Sequence, residues 1–260
     1  MVSALVQNGL DDEALMLVYE MQKLRVAIDE ITITILLFAA SNLRDREIGK
    51  QTHAYLLRHN IQFEGMESYL IDMYAKSNMI REAQAIFQSN VTNDKDQATW
   101  NAMIAENTQN GLIEQSFVVF KEMLEQNVKP NAVTLASILP SCSQSGSIAI
   151  GKQLHCFAIL NLFENNVYVI SALVDIYSKS GIIDYAESVF LKSPEKNSVT
   201  LMFTKKNSVT YTNMILGYGQ HGMGRKALTL CYSLRQNGLE PDDVTFLESL
   251  RAMLATSKKF

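Results

Sequence analysis

The chain has 260 residues, 47% of them hydrophobic, and a formal net charge of −4. Four prolines and twelve glycines leave no room for collagen-like or disordered character, and the charge gives no sign of a generally basic nucleic-acid binder. Cys142, Cys156 and Cys231 are too few and too scattered for a disulfide framework, so a reducing compartment is expected.

In chain order, Met1-Val2-Ser3-Ala4-Leu5 lacks the basic flank and cleavage pattern of a signal peptide. Asn8-Gly9-Leu10 returns as Asn110-Gly111-Leu112, 102 residues later. The most apolar stretch, Ile31 to Ala40, is too short for a membrane span, and no membrane partner is expected. Gly49-Lys50-Gln51-Thr52-His53 returns as Gly151-Lys152-Gln153-Leu154-His155, and Asp72-Met73-Tyr74-Ala75-Lys76 as Asp175-Ile176-Tyr177-Ser178-Lys179. A near-constant offset over most of a chain marks repeated supersecondary units, hence an all-α solenoid stacked from neighbours. Met1 already lies inside a repeat, so a longer native chain is expected.

The long period exceeds one helical hairpin, which takes roughly 33 to 47 residues, and divides into three. Trp100, Met103 and Ile104 share one helical face, Asn110-Gly111 is a stop signal, and Phe117, Val118, Phe120 and Met123 mark a second helix. Lys129-Pro130-Asn131 is expected to end that helix. Further core candidates are Leu135, Ile138, Leu139, Leu154, Phe157 and Ala158, then Leu173, Tyr177, Val189 and Phe190. The central trio has lengths of 35, 35 and 31 residues.

Asp-x-Tyr-x-Lys, Gly-Lys-Gln-x-His and Trp-Asn-x-Met-Ile in this alternation resemble the plant pentatricopeptide repeat proteins, in the subclass with P, L and S motifs. The resemblance covers almost the whole chain and implies a right-handed superhelix. It divides the chain into a partial P repeat at 1–29, L at 30–63, S at 64–96, P at 97–131, L at 132–166, S at 167–197, P at 208–242 and a partial L at 243–260. Residues 198–207 form an insertion, because Lys196-Asn197-Ser198-Val199-Thr200 recurs as Lys206-Asn207-Ser208-Val209-Thr210.

The resemblance also implies binding of single-stranded RNA at one base per repeat, chosen by the fifth and last residues of each repeat. Ser68 with Asp96 resembles a guanine-preferring pair, Asn101 with Asn131 a pyrimidine-preferring pair, Ser171 with Asn197 an adenine-preferring pair, and Thr212 with Asp242 guanine again. Thr34 with Phe63 and Ala136 with Asn166 fit no clear code, and Asp29 alone represents the first repeat. The implied target core is n-G-Y-n-A-G. For any single Ser or Asn the competing role is a helix cap or turn. The thirteenth residues, Gln7, Asn42, Lys76, Gln109, Gln144, Lys179 and Gln220, are all polar. Lys76 and Lys179 are the candidates for holding phosphates, with a modest salt dependence.

Other patterns carry less. Gly217-Tyr218-Gly219-Gln220-His221-Gly222 fits the dinucleotide regex with no strand before it. His53, His59, His155 and His221 show no metal spacing, and His53 and His155 are expected to pack rather than catalyse. Trp100 and Tyr211 are expected in the core. The subclass acts in organellar C-to-U RNA editing, whose zinc chemistry needs a His-x-Glu and a Cys-x-x-Cys. This sequence has neither, so catalysis is expected elsewhere, with no cofactor here and with editing factors as further partners. The location implied is the mitochondrion or chloroplast. The rival reading is a helical scaffold for protein partners. An uncapped final repeat predicts fraying of 243–254.

Overall fold

The computed structural model describes residues 1–26, 28–89, 95–192, 208–239, 241, 243 and 247. Among the described residues there are fourteen α-helices and no strand. Asn197, the 198–207 insertion, Asp242 and nearly all of 243–254 lie outside them.

The chain divides into two compact units, Met1–Lys129 and Pro130–Phe260. The first holds α1 (Val2–Gln7), α2 (Asp11–Lys23), α3 (Glu30–Leu43), α4 (Arg46–Arg58), α5 (Met66–Lys76), α6 (Ile80–Ser89), α7 (Gln97–Gln109) and α8 (Ile113–Glu125). Each even-numbered helix packs on the odd one before it, and the odd helices pack on one another in turn, α1 on α3, α3 on α5 and α5 on α7. The second unit repeats this plan with α9 (Ala132–Ser145), α10 (Ile148–Leu160), α11 (Val167–Lys179), α12 (Ile183–Lys192), α13 (Ser208–Gln220) and α14 (Gly224–Gln236).

The ends of the helices follow from backbone chemistry. Asp29, Asp96, Asn131 and Asn166 each N-cap the helix that follows, their side chains accepting from backbone N–H groups at 2.7 to 3.3 Å. Inside the hairpins the turn residue needs a positive φ, which glycine adopts without a Cβ clash, and Gly111 sits at φ 72°. The Leu112 N–H then closes on the Asn107 carbonyl at 2.8 Å. Contrary to the sequence reading, Pro130 does not end α8. That helix stops at Glu125, where Asn127 turns at φ 58° and the Val128 N–H reaches the Met123 carbonyl at 3.0 Å.

The core is built from the facing sides of both odd and even helices. Trp100, Met103 and Ile104 are buried, as are Leu135, Ile138, Leu139, Leu154, Ala158, Leu173, Tyr177, Val189 and Phe190. Phe117, Phe120 and Phe157 are half-buried. Val118 is a correction: it is 54% exposed, and its neighbour Val119 takes the buried place. Trp100 meets Phe87 edge-on at 5.1 Å between ring centroids, and Tyr211 meets Phe190 in the same way at 5.2 Å. Each pair contributes roughly 0.5–1.5 kcal/mol beyond its buried area.

The glycine of the repeated Gly-Lys-Gln motif is explained by close approach. A Cβ on Gly49 would fall 2.1 Å from the Met73 sulfur, and one on Gly151 would fall 3.1 Å from Ile176 Cγ2. Gly217 to Gln220 lie inside α13, so the dinucleotide-like pattern is a helical segment with no phosphate loop.

Candidate nucleic-acid interface

The candidate base readers fall into two structural classes. Ser68 is the third residue of α5, and Asn101, Ser171 and Thr212 are each the fifth residue of α7, α11 and α13. Asp96 and Asn131 are N-caps. At Asp96 the cap role does not use up both oxygens, whereas the single amide oxygen of Asn131 accepts from both the N–H and the hydroxyl of Thr134. In Asp96, Oδ1 accepts from the Thr99 N–H at 2.7 Å, and Oδ2 points toward Gly65.

Ser68 and Asp96 come together at that glycine. Ser68 Oγ and Asp96 Oδ2 lie 3.9 and 4.0 Å from where a Gly65 Cβ would stand. Gly65 sits at φ 78°, and the Ser68 hydroxyl donates to its carbonyl at 2.8 Å. The Ser68 hydroxyl, the Tyr69 ring edge and the Asp96 carboxylate thus surround the side-chain-free face of Gly65.

The other positions differ in depth. Asn101, in the first unit, is buried at 7% exposure. Asn131, in the second, forms a capping box with Thr134. Ser171 is 6% exposed, and Asn213 of α13 donates to its carbonyl at 3.1 Å and its hydroxyl at 3.4 Å. Asn213 was missed in the sequence, where it stands one residue past the candidate Thr212. Thr212 is half-buried. Among the uncoded positions, the Thr34 hydroxyl donates to the Glu30 carbonyl at 2.9 Å, and Phe63 lies 6.4 Å from the Tyr69 ring. Ala136 is half-buried, and Asn166 caps α11.

The two lysines are not free charges. Lys76 pairs with Asp72 at 2.8 Å and Lys179 with Asp175 at 2.9 Å, each four residues back on its own helix. The aspartates also accept from the hydroxyls of Ser41 and Ser143 on the preceding odd helix, at 2.6 and 2.7 Å. This gives the repeated Asp-x-x-x-Lys a structural role, joining consecutive odd helices while holding the lysine.

Glu106 of α7 is a second residue that sequence reasoning missed. It is 3% exposed, and its carboxyl is pushed from 4.5 up to about 7. Burial is the largest cause, the charge of Asp72 adds to it, Lys76 opposes it, and a hydrogen bond with Asp72 raises it further. The available signal was the register, which sets Glu106 level with Gly217 of the later copy.

Three of the four histidines tie helices together, while His59, the C-cap of α4, stacks on Tyr55 of its own helix. His53 Nδ1 lies 2.7 Å from the Tyr74 hydroxyl, and burial holds the imidazole below its usual range while raising the phenol. His155 and Tyr177 repeat the contact at 2.8 Å. The His221 ring lies 3.0 Å from the Ser178 carbonyl. Among the described residues no three His, Cys, Asp or Glu side chains gather as a metal site, and no helix is long and apolar enough to cross a membrane.

Comparison with known proteins bears on this arrangement. The PPR repeat family matches residues 95–144 and 206–252, and a second description, PPR repeat, matches 1–26 and 68–89, together more than half the chain. A chloroplastic pentatricopeptide repeat-containing protein of Arabidopsis thaliana is 60% identical over 252 residues, covering 97% of this chain and 30% of that protein. A mitochondrial one from the same species is 30% identical over 254 residues, covering 97% of this chain and 35% of that protein. The chain thus spans about a third of the length of these relatives. The crystal structure of PPR10 in complex with an 18-nt psaJ RNA element shares the fold, with a TM-score of 0.61 at 16% identity over 96% of this chain and 41% of that one. The motifs, the paired helices and these matches agree, and the chain belongs to the pentatricopeptide repeat proteins.

Proposed function

We propose that this chain binds single-stranded RNA by sequence, one base per repeat, and marks a site for C-to-U editing whose chemistry is supplied elsewhere. The observation that carries the reading is the convergence of Ser68 Oγ and Asp96 Oδ2 on the side-chain-free face of Gly65. An aspartate offers acceptors alone, which suits the N–H edge of guanine, whereas an asparagine offers a donor and an acceptor. Unpaired bases expose those edges to side chains. Supporting the reading, PPR10 is described as bound to an RNA element, and polar residues recur at the same register in α5, α7, α11 and α13. The relatives named chloroplastic and mitochondrial support an organellar location.

The proposed core is n-G-Y-n-A-G, with Ser68 and Asp96 on the first G, Asn101 and Asn131 on Y, Ser171 and Asn197 on A, and Thr212 and Asp242 on the last G. Asp96→Asn keeps the cap and changes the acceptor set. It is expected to move the preference at the first G toward adenine in a binding assay against RNAs varied at that base. Ser171→Thr with Asn197→Asp is expected to move the A toward guanine. Equal affinity of the unmodified chain for the core and for a scrambled RNA would overturn the reading.

A further inference from the structure

Lys76 and Lys179 occupy the same register in two copies of one motif, yet their surroundings differ. Opposite α11, the later copy has Gly217, so close that a Cβ there would fall 2.5 Å from Ser178 Cβ. In the earlier copy Glu106 takes that register. Its side chain is hydrogen-bonded to Asp72, and its Oε2 is buried without a partner.

Two carboxyl groups can share a hydrogen bond when one of them carries a proton. A buried oxygen without a partner also disfavours the charged form. The helices packed on α7 are α5, α6 and α8. From α5 come Asp72 and Lys76, the charged groups that act on Glu106. The charged residues nearest in sequence on α6 and α8, Arg81, Glu82, Glu114, Lys121, Glu122 and Glu125, are exposed.

We propose that Glu106 is a proton-operated positioning residue for Lys76. Protonated, it leaves the lysine a single carboxylate partner and able to take an RNA phosphate; ionised, it adds a second carboxylate that holds the lysine back. This rests on the RNA-binding reading above. With Glu106 neutral the group of three carries no net charge, and with Glu106 ionised it carries one negative charge beside the phosphate path. By linkage, a phosphate at Lys76 raises the proton affinity of Glu106, so RNA binding takes up a proton near neutral pH. Lys179, with Gly217 in place of the acid, has no such control.

The test is RNA affinity of the full 260-residue chain from about pH 6 to about pH 8 at fixed salt. The probe is a single-stranded RNA carrying the n-G-Y-n-A-G core. Affinity is expected to fall roughly five-fold as pH rises, about what one unit charge some 4 Å from a phosphate is worth when fully water-screened. Glu106→Gln should bind at every pH as the unmodified chain does at the acidic end. Lys76→Gln should weaken binding and remove the pH dependence, while Lys179→Gln should weaken binding and keep it. Infrared spectra should show a protonated-carboxyl band that titrates near neutral pH and is missing from Glu106→Gln. RNA binding that is flat with pH, the same slope in Glu106→Gln, or no such band overturns the inference and leaves the RNA reading intact. No RNA binding at any pH removes both.

Discussion

The Nδ1 of His155 lies 2.8 Å from the hydroxyl of Tyr177, joining α10 to α11. His53 and Tyr74 make the same contact between α4 and α5. The histidine closes one repeated motif and the tyrosine centres the other, so the two motifs are the halves of one contact.

Burial holds both imidazoles below their usual range. A histidine with a depressed folded value lends stability that is present above its unfolded value, near 6.5, and lost as pH falls through the folded value. Urea unfolding should therefore show both ties weakening on acidification below about pH 6.5. Tyr177→Phe should cost about 1 kcal/mol at neutral pH, the net worth of one hydrogen bond.

Glu106 runs the other way. Its folded value is raised from 4.5 to about 7, so its contribution is complete below about 4.5 and lost as pH rises to about 7. The change amounts to about 3 kcal/mol. Glu106→Gln should flatten this limb of the stability curve and expose the opposing histidine limb.

Gly217 faces Ser178 at a distance where a Cβ cannot fit, and the atom it would meet is a stiff Cβ. Gly217→Ala should cost about 1–3 kcal/mol. Adding Ser178→Gly should recover part of that loss, a coupling readable in a double-mutant cycle. Gly151→Ala, facing Ile176 at 3.1 Å, should cost less.

Asn107 is 1% exposed, and neither polar atom of its amide has a partner. Asn107→Leu keeps the shape and removes the unsatisfied groups, so the melting temperature should rise, by an amount equivalent to about 1–2 kcal/mol. A lower melting temperature would show that the amide is satisfied in solution.

Asp96 separates capping from recognition. Asp96→Ala should cost about 1 kcal/mol through loss of the bond from Thr99, while Asp96→Asn should leave stability nearly unchanged. Circular dichroism melts of the two variants check this before any RNA is added.

Most of the helical layout was legible because its signals are local. Trp100, Met103 and Ile104 lie on one face by spacing alone, and Asn110-Gly111 needs a positive φ. The end of α8 was misread because Asn127 turns left-handed without a glycine to announce it. Val118 and Val119 are adjacent and alike, and a one-residue rotation of the helix decides which is buried. At the candidate interface the residue types were visible but their partners were not. Asp72 meets Ser41 from 31 residues away, and Asn213 meets Ser171 from 42. Such contacts depend on how neighbouring hairpins settle against each other, which residue spacing within one hairpin does not carry.

The glycine at 217 has a consequence for rebuilding such arrays. Ala75 and Glu106 hold the registers in the earlier copy that Ser178 and Gly217 hold in the later one. A cassette bearing α7 and α8, spliced in place of α13 and α14, would drive a carboxylate side chain into the space that Ser178 already fills. The reverse exchange would open a gap beside Asp72. Recombined arrays from this chain should be cut so that α5 travels with α7 and α11 with α13.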